Sequence, residues 1–169
     1  MTLPVTHHVQ VDRMRLADIL SADRIVVDID GSVVKTKTDA IHRLSELLSP
    51  AVHVDVETVE HLLLEREKLQ STGIGDGVAI PHCALDTADG QALALILCPR
   101  GVEFEAIDGE PVEIVFGVVG PKRATGEHLR TLARISRLLR DEQTRIRLLA
   151  SASPKAAFEL IETNENAAR

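Results

Sequence analysis

The sequence holds no tryptophan and no tyrosine, and its aromatic content is three phenylalanines. A core with so few rings must be built from Leu, Ile, Val and Ala. The same scarcity removes the stacking platforms on which single-stranded nucleic acid is bound. Positive charge is also short: 19 Lys and Arg stand against 26 Asp and Glu, for a net charge of −7. A nucleic-acid surface asks for the opposite balance, so nucleic acid is not an expected partner. No apolar run is long enough to span a bilayer, and direct membrane insertion is not expected. The opening MTLPVTHHVQ lacks the pattern of an export signal. Two cysteines, Cys83 and Cys98, make no disulfide framework, so the expected setting is the reducing cytoplasm.

What is present is an apolar fraction of 44% over 169 residues, enough for one domain with a real core. The first residues read as a solvated tail, because adjacent His7 and His8 supply no full metal-ligand set. Arg15 to Leu20 reads as a short helix and Ile25 to Ile29 as a β-branched strand. Thr38 to Leu48 has helical spacing, with Ile41, Leu44, Leu47 and Leu48 on one face, and Pro50 is expected to stop it. Asp55 is placed to cap a second helix with a stripe of Val56, Val59, Leu62 and Leu63. Ala92 to Cys98 is apolar throughout, as in a strand covered on both faces.

Val102 to Ile107 alternates like a strand with one wet face, and Asp108-Gly109 reads as a hairpin turn. Val112 to Val119 is the next strand. Thr125 to Leu149 is helical, with Leu129, Leu132, Ala133, Ser136 and Leu139 along one side and a possible break at Asp141. Pro154 suits the first turn of a last helix reaching Ile161. Intermixed helices and strands with one hairpin predict a three-layer α/β domain with a mixed sheet.

One stretch stands apart: STGIGDGVAIPH, Ser71 to His82. Its G-x-G-x-G spacing follows a helix and precedes a short strand. The dinucleotide fingerprint needs G-x-G-x-x-G between strand and helix, and a P-loop needs Gly-Lys-Ser/Thr, so neither is met. His82, Cys83 and Cys98 are zinc-ligand types, but neighbouring His82 and Cys83 point opposite ways on an extended segment, and no second ligand pair accompanies them. No metal and no bound cofactor is expected.

Covalent chemistry at His82 remains. Imidazole is substantially neutral and nucleophilic near pH 7 and can take a phosphoryl group directly. Such transfer depends on positioning and on stabilising the phosphoryl oxygens. Amides along Ser71, Thr72, Gly73 and Gly75 are a candidate phosphate-cradling loop. His128 lies in the first turn of the long helix, and Arg66, near the end of the helix before the loop, is a permanent charge. Read from the residues alone, His82 stays open between a nucleophile and a hydrogen-bonded structural histidine. His128 and Arg66 stay open between site groups and surface residues.

The string EREKLQSTGIGDGVAIPH resembles the active-site segment of the enzyme IIA proteins of the bacterial phosphoenolpyruvate-dependent sugar phosphotransferase system. The resemblance is to the mannitol/fructose type, and within it to the nitrogen-regulatory branch. RLADILSADRIVVDIDGSVVKTKTDAIHRLSELL is similar to the family's opening helix, strand and helix. FEAIDGEPVEIVFGVVGP is similar to its hairpin, and GEHLRTLARISRLLRD to the segment with its second active-centre histidine. The likeness covers residues 13–163, leaving residues 1–12 and 164–169 as tails.

The resemblance implies a mixed sheet of roughly five strands between helical layers. It implies that His82 is phosphorylated at Nε2 by the phosphohistidine of the small carrier HPr or its nitrogen-branch paralogue. His128 is implied to steady the phosphoryl group, and Arg66, sixteen residues before His82, to support the centre. A sugar-branch protein would pass the phosphoryl group to a IIB component; a nitrogen-branch protein would select regulatory target proteins by its phosphorylation state. With no IIB or membrane-spanning IIC segment among these residues, the regulatory reading is the expected one. Cys83 departs from the family pattern and sets a thiol beside His82, which raises oxidation sensitivity as a corollary.

Overall fold

The computed structural model describes residues 14–168; His7, His8 and the rest of the opening tail lie outside them. Six helices and six strands follow in the order α1 (Leu16–Ile19), β1 (Ile25–Val27), α2 (Lys37–Val52), α3 (Val56–Leu69), β2 (Gly73–Gly75), β3 (Val78–Ala79), β4 (His82–Leu85), β5 (Ala92–Val102), β6 (Val112–Pro121), α4 (Thr125–Arg140), α5 (Glu142–Leu149) and α6 (Pro154–Ala167) among the described residues. The sheet runs β1-β5-β6-β3-β2, and β4 also pairs with β6. It is mixed, as expected: β1 lies parallel to β5, β5 antiparallel to β6, and β3 and β4 parallel to β6.

β3 and β4 are two halves of one line. β3 pairs with Ile114 and Val115, β4 with Val118 to Pro121, and the break falls at Ile80-Pro81. Proline has no N–H for the ladder, yet its carbonyl still accepts from the Val118 amide at 2.9 Å. The sheet therefore has five positions across and six strands, and His82 starts the line's second half.

The apolar run of β5 is buried on both faces. Ala92, Ala94, Ile96 and Cys98 join one core with α2 and α3. Leu93, Leu95 and Leu97 join another with α1, α4, α5 and α6. This two-residue alternation divides one strand between two helical layers. Both cores are overwhelmingly aliphatic, with Phe104 and Phe116 wholly enclosed.

Several expectations shift in detail. β1 ends at Val27 because the buried Asp28 carboxylate turns the chain, accepting from the Val33 and Val34 amides at 3.2 and 2.8 Å. Pro50 does not stop α2, which runs on to Val52. The missing N–H of Pro50 removes one ladder bond, and the helix closes only two residues later. His53, at φ 56°, closes the end by donating its N–H to Ser49 O, and Val52 is buried.

Asp55 caps α3 as expected, but only Val59 and Leu63 of the stripe are fully buried. Residues 103–106 alternate in burial without strand pairing, since Glu105 adopts φ 53°. The turn before β6 closes one residue early, with the Gly109 amide on Ala106 O at 2.9 Å.

On α4 the buried residues are Thr131, Ile135, Leu138 and Leu139, while Leu129 and Ala133 are exposed. The buried side is rotated from the expected one, and Thr131, though polar, is satisfied in the core by donating its hydroxyl to Glu127 O at 3.1 Å. Asp141 breaks the helical stretch by capping α5 through the Thr144 amide. α6 passes Ile161 and runs to Ala167, where Glu165 accepts from the Leu16 and Ala17 amides at 2.7 and 2.9 Å and so ties α6 to α1.

Candidate active site

His82 is held from below by its own backbone neighbourhood. Its Nδ1 lies 2.7 Å from Ile80 O. A carbonyl only accepts, so Nδ1 carries the hydrogen and Nε2 keeps its lone pair. The Pro81 break makes this contact local, because the residue two places back turns its carbonyl onto the ring rather than continuing the strand.

Burial pushes the imidazole below its ordinary value; the Ile80 bond acts against this, and the Arg66 guanidinium adds to it. The result is a neutral imidazole in a fixed tautomer with Nε2 available, the form that attacks phosphorus.

His128, from the first turn of α4, stands with its ring centroid 5.6 Å from that of His82 and tilted by 53°. Burial, then the charge of His82, holds its value below the ordinary one as well. Arg66, in the last turn of α3, donates to Gln70 O at 2.9 Å, and its charge reaches His82. Three residues distant in sequence are thus brought to one place.

The loop is used differently from the expectation. The Ser71 hydroxyl donates to Phe104 O at 2.8 Å and accepts from the Gly73 amide at 3.1 Å. Thr72 gives both its amide and its hydroxyl to Glu67, at 3.1 and 2.5 Å. The Thr72 and Gly73 amides are therefore engaged inside the protein rather than presented to a phosphate. Gly73 is also a close approach: a Cβ there would stand 2.7 Å from Ala106 Cβ and 2.8 Å from its Cα. Gly75 adopts φ +99°, which L side chains rarely enter. The loop is a clamp on β3, the half-strand that leads into His82.

The centre of that clamp escaped the sequence reading. Glu67 is a buried carboxylate, and Lys37 reaches it from α2 at 3.0 Å. The Lys37 ammonium also lies 5.3 Å from the Phe104 ring centroid. A Thr five residues after a Glu at a helix end is the only local signal; Lys37 is thirty residues away in sequence and no spacing rule reaches it.

Cys83 points away from this chemistry. It is buried, and burial pushes its thiol up to about 12, which disfavours the reactive thiolate. Among the described residues no cluster of three or more His, Cys, Asp or Glu side chains is arranged to hold a metal ion. No helix among them is long and apolar enough to cross a membrane.

The family model "Phosphoenolpyruvate-dependent sugar phosphotransferase system, EIIA 2" matches residues 18–164. A nitrogen regulatory protein of Pseudomonas aeruginosa is 34% identical over 153 residues, covering 90% of this chain and 98% of that protein. The crystal structure of nitrogen regulatory protein IIA-Ntr from Neisseria meningitidis superposes with a TM-score of 0.80 at 32% identity, over 86% of this chain and 98% of that one. Enzyme IIA-mannitol of Escherichia coli, in complex with phosphorylated enzyme IIB-mannitol, has a TM-score of 0.70 at 26% identity, over 85% and 96%. The same sheet and helical layers are shared along nearly the whole described chain, and the chain belongs to the EIIA 2 family of the phosphoenolpyruvate-dependent sugar phosphotransferase system.

Proposed function

We propose that His82 carries the phosphoryl group. The His82 Nε2 lone pair attacks phosphorus on the phosphohistidine of an HPr-type carrier. A new N–P bond forms at His82, the carrier's N–P bond breaks, and its imidazole leaves with the electron pair. No metal or cofactor enters the step. The observation that carries this reading is the Nδ1 contact with Ile80 O at 2.7 Å, which makes Nε2 the nucleophilic nitrogen. His128 steadies the phosphoryl oxygens from 5.6 Å between ring centroids, and Arg66 adds positive charge. A donor of this kind puts the reaction in the cytosol.

The elements around the centre also carry exposed apolar side chains: Leu69 on α3, Ile74 on β2, Ile107 in the turn before β6, and Leu129 on α4. They suit a protein donor better than a small molecule, since a docking surface needs apolar contact around the transfer point. The nitrogen regulatory relatives favour a regulator whose phosphorylation state chooses its target proteins. Likeness to a IIA seen with a phosphorylated IIB favours a second reading, in which the group passes on to a IIB component.

Incubation with phosphoenolpyruvate, enzyme I and HPr tests the transfer. Wild type is expected to take up acid-labile phosphate and His82→Ala none; uptake by His82→Ala, or none by wild type, sinks the assignment. Pull-downs with unphosphorylated and phosphorylated protein separate the branches. Different partner sets support the regulator, while rapid discharge to a IIB protein supports the sugar reading.

A further inference from the structure

Two buried side-chain atoms among the described residues have no hydrogen-bond partner: Gln91 Oε1 and His128 Nδ1. The side chains that carry them lie against one spot. A Cβ built on Gly120 would stand 2.9 Å from Gln91 Cγ and 3.6 Å from His128 Nδ1. Gly120, on β6, thus leaves open the space where the two side chains meet. Their chemistry is complementary, because a carboxamide oxygen accepts and an imidazole N–H donates. Buried polar atoms are rarely left unpaired.

We propose that Gln91 is the positioning residue of His128: its carboxamide oxygen takes the His128 Nδ1–H, which holds the ring and turns Nε2 to the His82 side. A rotation about the terminal torsion of Gln91 brings the oxygen round, and that torsion is soft. The amide nitrogen opposes this only weakly, since its contact is the Met14 sulfur at 3.9 Å, a poor acceptor.

The consequence rests on the phosphotransfer reading above. With Nδ1–H engaged, neutral His128 shows an unprotonated Nε2. The titratable group whose charge acts on it is His82 on β4. Once His82 Nε2 bears a phosphoryl dianion, a proton from solvent settles on His128 Nε2. That N–H donates to a phosphoryl oxygen, while Nδ1–H stays on Gln91. The proton returns to solvent when the phosphoryl group leaves. Arrival of the group and orientation of its stabiliser are thereby linked through one carboxamide.

The tautomer of His128 is read directly by long-range proton–nitrogen correlation on the 15N-labelled, unphosphorylated protein. Wild type is expected to show Nδ1–H. Gln91→Leu should shift His128 toward the Nε2–H form that a free imidazole favours. Gln91→Glu should restore Nδ1–H and raise the pH at which His128 titrates. Gly120→Ala is the independent variant: its methyl displaces Gln91 without altering either partner, and it should reproduce the Gln91→Leu spectrum. In the phosphorylation assay Gln91→Leu should shorten the life of phospho-His82 several-fold.

An Nε2–H tautomer in wild type overturns the proposal, as does an unchanged tautomer in folded Gln91→Leu and Gly120→Ala. The readout needs no phosphate, so failure of transfer at His82 and failure of Gln91 as a positioning group are separate results.

Discussion

Glu67→Ala removes the carboxylate on which the loop and α2 converge. The side chain is only 5% exposed and takes the Lys37 ammonium at 3.0 Å, together with the Thr72 amide at 3.1 Å and hydroxyl at 2.5 Å. Deleting one partner of a buried ion pair costs about 3–5 kcal/mol, because the other charge is left stranded. Lys37 retains 22% exposure and can turn to water, so the lower end applies, about 3 kcal/mol.

At about 2–4 °C per kcal/mol for a chain of this size, the midpoint should fall by about 6–12 °C. Glu67→Gln keeps an acceptor for Thr72 but loses the charge, and should cost about 1–2 kcal/mol. Urea melts of Glu67→Ala, Lys37→Met and the double variant close a thermodynamic cycle. Lys37→Met also lifts the ammonium off the Phe104 ring, and the cycle cancels that loss. A coupling of about 1–3 kcal/mol is expected. A Glu67→Ala cost within about 0.5 kcal/mol of zero, or strict additivity with Lys37→Met, would refute the clamp.

Gly73→Ala forces a methyl against the Ala106 backbone at 2.8 Å, and should cost about 1–3 kcal/mol as overpacking; an unchanged melting curve would show that the two segments are not in contact. The part of stability set by His82 and His128 should fall on acidification through the histidine range, against an opposite contribution from His42, which its bond to Glu60 raises. His82 and His128 titrate below their ordinary 6.5 when folded, so the unfolded chain binds protons that the folded chain refuses, and this part of stability rises with pH across that window. Denaturant melts from about pH 7.5 to about pH 5 check the sign, and replacing both histidines with alanine should take this part of the slope away; the same slope without them would remove them as its cause. Cys83 should resist a thiol reagent in the folded protein and react on unfolding, since burial raises its thiol to about 12; rapid reaction under native conditions would contradict its placement in the core.

Much of the architecture was legible because local chemistry and final structure agree. The unbroken apolar run of β5 announced a strand between two layers, and both its faces are buried. Asp55 caps the helix that follows it, Asp141 breaks the helical stretch in which it stands, and Pro154 opens α6, because helix ends are settled within a turn of chain. The misreadings share a cause. Pro50 is tolerated because a left-handed His53 and a buried Val52 secure the last turn. α4 turns a different side inward because burial of Thr131 is decided by the sheet it packs on.

By itself the sequence determined the element types, the aliphatic character of the core and the proline that stands directly before His82. Those properties depend on a few neighbouring bonds, and neighbouring bonds are written in order along the chain. Only the tertiary structure decided that Ser71 and Thr72 spend their groups on the fold, that Lys37 and Glu67 lock the loop, and that Gln91 meets His128 over Gly120. Each joins segments that sequence does not order relative to one another. Their partners are selected by the packing of helices on a sheet, where a missing Cβ or a buried charge takes its meaning from what lies across the gap.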